Sequence, residues 1–138
     1  MRTLALLTLS LALLPSLLIA KGKPKRQTVT APDAASVAAL ATANHFLRAW
    51  QTGDLETGLL LLTDAARHGS NDDNLRSYFS TPLLRAFEVH RGKQVRTGRY
   101  AFPVVLLETT DPSRAKRRYS EIIVMNTGSN DWAVDKLP

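Results

Sequence analysis

His45-Phe46-Leu47-Arg48-Ala49-Trp50-Gln51-Thr52-Gly53-Asp54-Leu55-Glu56 is the stretch on which the reading of this chain turns. Upstream of Gly53, the residues Ala39, Leu40, Ala43, Phe46, Leu47 and Trp50 recur at helical spacing and form one broad apolar stripe. Thr42, Arg48 and Gln51 lie off that stripe, and Pro32-Asp33 supplies a start with Asp33 as N-cap. Gly53 tolerates the left-handed backbone that ends many helices. Asp54 can cap the next helix, and the dipole favours Glu56 in its first turn. The spacing therefore predicts helix, turn, helix.

Working outward, Leu55, Leu59, Leu62 and Ala66 line one face of the second helix, and Leu60 and Leu61 widen it. This helix is expected to be buried on most sides and to run to Arg67-His68, with Gly69 closing it. A third, short helix is expected over Asp72 to Phe79, capped by Ser70 or Asn71 and stopped by Pro82. Beyond Pro82 the apolar period changes to two. Phe87 and Val89 alternate with Glu88 and His90 before a turn at Gly92-Lys93. Residues 100–107 (YAFPVVLL) are a strong strand signal. Pro103 inside that strand lacks a ladder donor and implies an edge or a bulge. Residues 118–126 and 131–137 complete a set of about four strands, the last three an antiparallel meander. Helices first and strands afterwards indicate an α+β fold rather than a parallel α/β sheet.

At the other end, Met1-Arg2 precedes an apolar run to Ala20, and Ala20-Lys21-Gly22 is a small-x-small cleavage site. Residues 1–22 thus read as a signal peptide, and the protein as exported, periplasmic or secreted. The alternative is an uncleaved anchor through residues 3–20. That run, about 17 residues long and interrupted by Pro15, is at the short limit for a span. Residues 23–33 are a basic, proline-containing flexible linker whose expected contact is a weak one with anionic membrane or envelope polymer. Residues 34–138 are one domain of ordinary size. Hydrophobic content of 44% and charged content of 22% fit a globular chain, and the net charge of +6 favours acidic partners. The absence of cysteine excludes disulfides, thiolate metal sites and cysteine nucleophiles.

The order of these elements resembles the NTF2-like superfamily, which includes SnoaL-like and ketosteroid-isomerase-like domains. The residues that carry the resemblance are Phe46-Leu47, Ala49-Trp50, Gly53-Asp54-Leu55 and Gly58, with the closing Trp132-Ala133-Val134-Asp135-Lys136-Leu137 typical of small exported members. The resemblance implies helices closing one side of a strongly curved antiparallel sheet, an NTF2-like cone with a pocket. It also implies where chemistry would sit. Ketosteroid isomerases place an oxyanion-binding tyrosine on the first helix, and the corresponding residue here is Phe46, without a hydroxyl. Their aspartate base corresponds without gaps to Ser70, with Asp72 and Asp73 nearby.

His90, Asp72 and Asp73 are the candidate catalytic residues. Phe46, Trp50, Tyr78, Tyr100, Phe102 and Trp132 are the candidate lining of a ligand pocket. His45, His68 and His90 lack metal-ligand spacing, so neither a metal nor a cofactor is expected. The basic clusters Arg91-Lys93-Arg96-Arg99 and Arg114-Lys116-Arg117-Arg118 flank a strand and stand roughly 30 Å apart, which argues against a continuous nucleic-acid surface. The expected function is a non-enzymatic exported domain that binds a small apolar ligand or a protein partner, with a homodimer through the sheet. The alternative is a small isomerase or hydrolyase with His90 or Asp72/Asp73 as base.

Overall fold

The computed structural model describes residues 31–80 and 83–138. The signal segment, most of the basic linker and Pro82 lie outside the described residues. Helix α1 spans Ala34–Thr52 and starts at the expected cap, with the Asp33 carboxylate accepting the Ser36 N–H. Its end has the geometry of a Schellman turn. Gly53 takes φ 73°, its N–H reaches the Trp50 carbonyl, and the Asp54 N–H reaches the Ala49 carbonyl at 2.8 Å. Asp54 then caps α2 (Leu55–Leu60) through the Thr57 N–H at 3.0 Å. The Thr57 hydrogen bonds hold the Asp54 carboxyl below its ordinary range. The apolar stripe of α1 is buried as its spacing predicts, except for Leu40, which is exposed.

The second helix departs from expectation. It breaks at Leu61-Leu62, and a separate helix α3 occupies Asp64–Gly69. The cause lies far along the chain. The Leu61 carbonyl accepts the Val134 N–H at 2.7 Å, and the Thr63 N–H donates to the Val134 carbonyl at 2.9 Å. Leu62 thereby forms a parallel bridge with Val134. Thr63 caps α3 through the Ala66 N–H. Leu60, expected to be buried, is left 75% exposed. Helix α4 (Asp72–Phe79) is capped by Asn71, one of the two residues expected. The Phe79 ring occupies the space that a side chain at Gly58 would need, 2.1 Å from that Cβ position.

The sheet has five strands rather than about four: β1 (Leu84–Val89), β2 (Lys93–Arg96), β3 (Arg99–Thr109), β4 (Lys116–Asn126) and β5 (Trp132–Lys136). β2 is short, polar and exposed along its length, so it carries no alternating signal. The order is β1-β3-β4-β5, all antiparallel, with β2 also paired to β3. β3, β4 and β5 form the expected meander. Pro103 is neither on an edge strand nor in a bulge of its own strand. It sits in β3 opposite the break between β1 and β2, where its carbonyl accepts the His90 N–H and its missing donor costs no ladder bond. Gly92 lies in that break because the Phe102 ring comes within 2.3 Å of where its Cβ would be.

Alternation sorts the sheet into two faces. Phe87, Val89, Tyr100, Phe102, Val104, Leu106, Ile122, Val124 and Val134 face the helices and join Ala39, Ala43, Phe46, Leu47 and Trp50 in one core. The opposite face carries Leu84, Glu88, His90, Pro103, Tyr119 and Glu121. Of these, Leu84 is 63% and Tyr119 72% exposed.

Candidate functional site

The candidate pocket residues fall into two aromatic groups on the inner face. In the first, Phe46 packs at 6.4 Å from Tyr78 and 5.6 Å from Phe79, and Trp50 lies 6.3 Å from Tyr78. Phe46 and Trp50 are fully buried. In the second, Tyr100 stacks on Phe102 at 6.4 Å and tilts against Trp132 at 5.7 Å. Two open clefts border these groups. One, of about 630 Å³, lies where α1 ends and includes Gln51, Gly53, Arg76, Phe79 and Arg85. The other, of about 590 Å³, includes Ala35, Arg96, Arg99, Met125 and Trp132.

The candidate catalytic residues do not converge. His90 stands on the outer face with its side chain half exposed, 3.7 Å from the exposed Glu88 carboxylate. Asp72 and Asp73 are exposed in the first turn of α4, where they complement the helix dipole. His45 and His68 are exposed, and the His68 ring is bound locally to the Asp64 carbonyl at 2.7 Å. Among the described residues no group of His, Cys, Asp and Glu could hold a metal ion.

The charged residues that do reach the inner face are ones that motif and charge patterning do not single out. Arg85 is in phase with Phe87 and Val89, so its side chain points inward, with 3% of it exposed. Its Nη1 donates to the Trp50 carbonyl at 2.7 Å and the Phe79 carbonyl at 3.0 Å, and its Nη2 to the Tyr78 carbonyl at 2.9 Å. These carbonyls belong to the C-terminal turns of α1 and α4, so a single cation closes both helix ends. Nε donates to Glu108 at 3.2 Å, and the guanidinium lies 4.5 Å over the Trp50 ring. Burial lowers the Arg85 pKa, and the Glu108 carboxylate opposes that.

Arg118 is likewise in phase with the inner face of β4, opposite Leu106, but it stays exposed at the rim of the sheet. Its Nη1 donates to the Pro138 carbonyl at 3.3 Å. Beside it is the buried Tyr78 hydroxyl, with Arg118 as its polar neighbour. Burial pushes the Tyr78 phenol well above its ordinary range, while Arg118 and Arg85 pull it back. A cation at an inward position of a period-two strand is the signal in the sequence for both arginines.

The closing Trp132–Leu137 stretch is accounted for by packing. Val134 carries the bridge to Leu62, and Asp135 accepts the Thr63 hydroxyl at 3.0 Å and pairs with Arg99 at 2.7 Å.

The sequence matches no protein-family model and no curated protein. The fold does match solved structures. A SEC-C motif-containing protein from Rhodopseudomonas palustris superposes with TM-score 0.58 at 12% identity, over 73% of this chain and 78% of that one. A ketosteroid isomerase-like protein from Erwinia carotovora atroseptica gives 0.54 at 15% identity, over 75% and 92%. A Δ5-3-ketosteroid isomerase from Mycobacterium sp. gives 0.51 at 15% identity, over 71% and 90%. The chain is similar to these proteins in fold: it has the α+β NTF2-like architecture of helices on a five-stranded antiparallel sheet.

Proposed function

We propose that this chain is a non-enzymatic, exported NTF2-like domain that binds a small apolar ligand against the inner face of its sheet. The observation that supports the reading most is the placement of the candidate acid–base groups. Phe46 fills its position with a buried ring and no hydroxyl, while His90, Asp72 and Asp73 stand outside the apolar interior. Base catalysis needs the base within hydrogen-bond reach of the substrate proton, and oxyanion stabilisation needs a donor aimed at the developing charge. The signal-peptide pattern of residues 1–22 supports export, and the exposed Leu84 and Tyr119 of the outer face support a homodimer or protein contact there.

The test has two arms. Binding is followed by thermal shift with small apolar probes such as toluene, and a saturable rise in Tm is the expected result. Turnover is assayed with isomerase and dehydratase substrates; activity that disappears in His90→Ala or Asp72→Ala would overturn the non-enzymatic reading. Intact mass of the exported protein is expected to show loss of residues 1–22, and light scattering reports the oligomeric state.

A further inference from the structure

We infer that the cleft at the β2–β3 turn is where the ligand binds, and that the ligand joins an apolar body to a carboxylate. The inference rests on the ligand-binding reading above and names its cleft and its chemistry. The cleft is the one of about 590 Å³, where the β2–β3 turn, the end of β4, the first residue of β5 and the start of α1 meet. A volume of that size suits a small molecule. Trp132, Met125 and Ala35 supply its apolar lining. The Trp132 ring tilts against Tyr100 at 5.7 Å, and the Tyr100 hydroxyl in turn donates to Asp33 at 3.2 Å. Trp132 is nevertheless only half-buried, so part of its surface is left for a ligand.

Electrostatics sets the other half of the ligand. Arg96 and Arg99 are direct partners across the hairpin, and both line the cleft. Like charges in directly opposite positions of an antiparallel pair destabilise it. One carboxylate stands against the two. Asp135 pairs with Arg99 at 2.7 Å through one oxygen and accepts the Thr63 hydroxyl at 3.0 Å through the other. Arg96 is exposed and has no hydrogen bond or ion pair among the described residues. None of the described acidic side chains lines the cleft, and Asp131, next along the chain from Trp132, lies outside the lining. Two cations against one anion leave a single positive charge uncompensated, open to solvent and beside an apolar surface. A monoanion balances that charge, and a carboxylate offers the two oxygens that a planar guanidinium binds together.

The experiment titrates the full chain by calorimetry with 2-naphthoate, its neutral amide and inorganic phosphate, in wild type, Arg96→Gln and Arg76→Gln. Naphthoate is expected to bind wild type, and the amide and phosphate to bind roughly tenfold or more weakly. Arg96→Gln should bring naphthoate down to the level of the amide. Arg76→Gln, in the cleft at the end of α1, should leave its affinity unchanged. The Tm of unliganded Arg96→Gln should hold or rise, because a like-charge pair is removed. A clear fall in that Tm makes Arg96 a structural residue and overturns the assignment. Equal binding of naphthoate and amide, or naphthoate affinity that Arg96→Gln leaves intact, overturns the carboxylate and leaves the apolar-ligand reading standing. Naphthoate binding lost in Arg76→Gln overturns the choice of cleft, and phosphate binding as tight as naphthoate overturns the apolar body. Binding of no probe, toluene included, overturns both readings.

Discussion

At Gly53-Asp54 the chain turns between α1 and α2 on backbone and capping hydrogen bonds that run from Ala49 to Thr57, with Arg85 adding a donor to the Trp50 carbonyl, whereas at Leu61–Thr63 it leaves α2 to pair with a strand 72 residues away. The first turn is local chemistry. A left-handed glycine frees two N–H groups to reach the last carbonyls, and a carboxylate caps the next helix. The second is imposed. The leucine run Leu59-Leu60-Leu61-Leu62 would continue a helix on propensity alone, but two backbone hydrogen bonds to Val134 and the Thr63–Asp135 contact outweigh it. Helix breaks in this fold are thus of two kinds, and the distant kind should carry more of the stability because it ties layers together.

The strongest way to test that difference is Arg85→Met. The change keeps the length of the stem over Trp50 but leaves the Tyr78 and Phe79 carbonyls and the Glu108 carboxylate without the Arg85 donor, and the Trp50 carbonyl with the Gly53 N–H alone. A loss of about 3 kcal/mol is expected, since several buried acceptors go unpaired at once. Urea denaturation followed by tryptophan fluorescence measures it, and the emission of Trp50 should shift even in the folded state. A loss below about 1 kcal/mol would mean that water replaces the guanidinium and that the two helix ends are held by packing alone.

Next in size is Thr63→Val, which preserves shape and removes the hydroxyl that caps α3 and donates to Asp135. About 1–2 kcal/mol should be lost. The accompanying double mutant with Asp135→Asn separates the cap from the cross-layer bond: coupling above about 0.5 kcal/mol assigns the cost to the distant contact.

These positions also mark the limit of what the residues disclose. The helix-to-strand switch, α1 with its stripe, the Gly53-Asp54 turn, the Asn71 cap and the β3–β4–β5 meander are legible because each is written within one turn or one hairpin. The α2–α3 break is not, because Val134 decides it. β2 is not, because its exposed residues have no apolar face. Arg85, Glu108 and Arg118 are legible in principle: each falls in phase with a neighbour that packs in or against the core, Phe87, Leu106 and Ile122 respectively. They escape notice when basic and acidic residues are weighed as net charge rather than by register. His90 shows the same rule in reverse, since its phase with Glu88 puts it on the outer face.

A smaller effect is expected at the local turn itself. Gly53→Ala places a Cβ on a residue with φ 73° and brings it 3.3 Å from the Phe79 carbonyl. The expected loss is about 1 kcal/mol. If it exceeded that of Thr63→Val, the ranking of distant over local breaks would be wrong.

The smallest effect tests a place where local and distant control meet. Asp33 caps α1 by local chemistry, and its carboxylate also accepts the Tyr100 hydroxyl at 3.2 Å from 67 residues away. Burial raises the Tyr100 phenol and the Asp33 carboxylate raises it further; burial raises Tyr78 as well. The folded protein therefore keeps two protons that the unfolded chain gives up near pH ~10. Stability from both phenols is fully present below that pH and declines as pH rises above it. Between pH 9 and 10.5 the urea midpoint should fall by the equivalent of about a few tenths of a kcal/mol. Tyr100→Phe should remove part of this alkaline slope and leave the midpoint at pH 7 only slightly lower. An unchanged slope would place the raised proton on Tyr78 alone and reduce the Tyr100–Asp33 contact to an accessory of the cap.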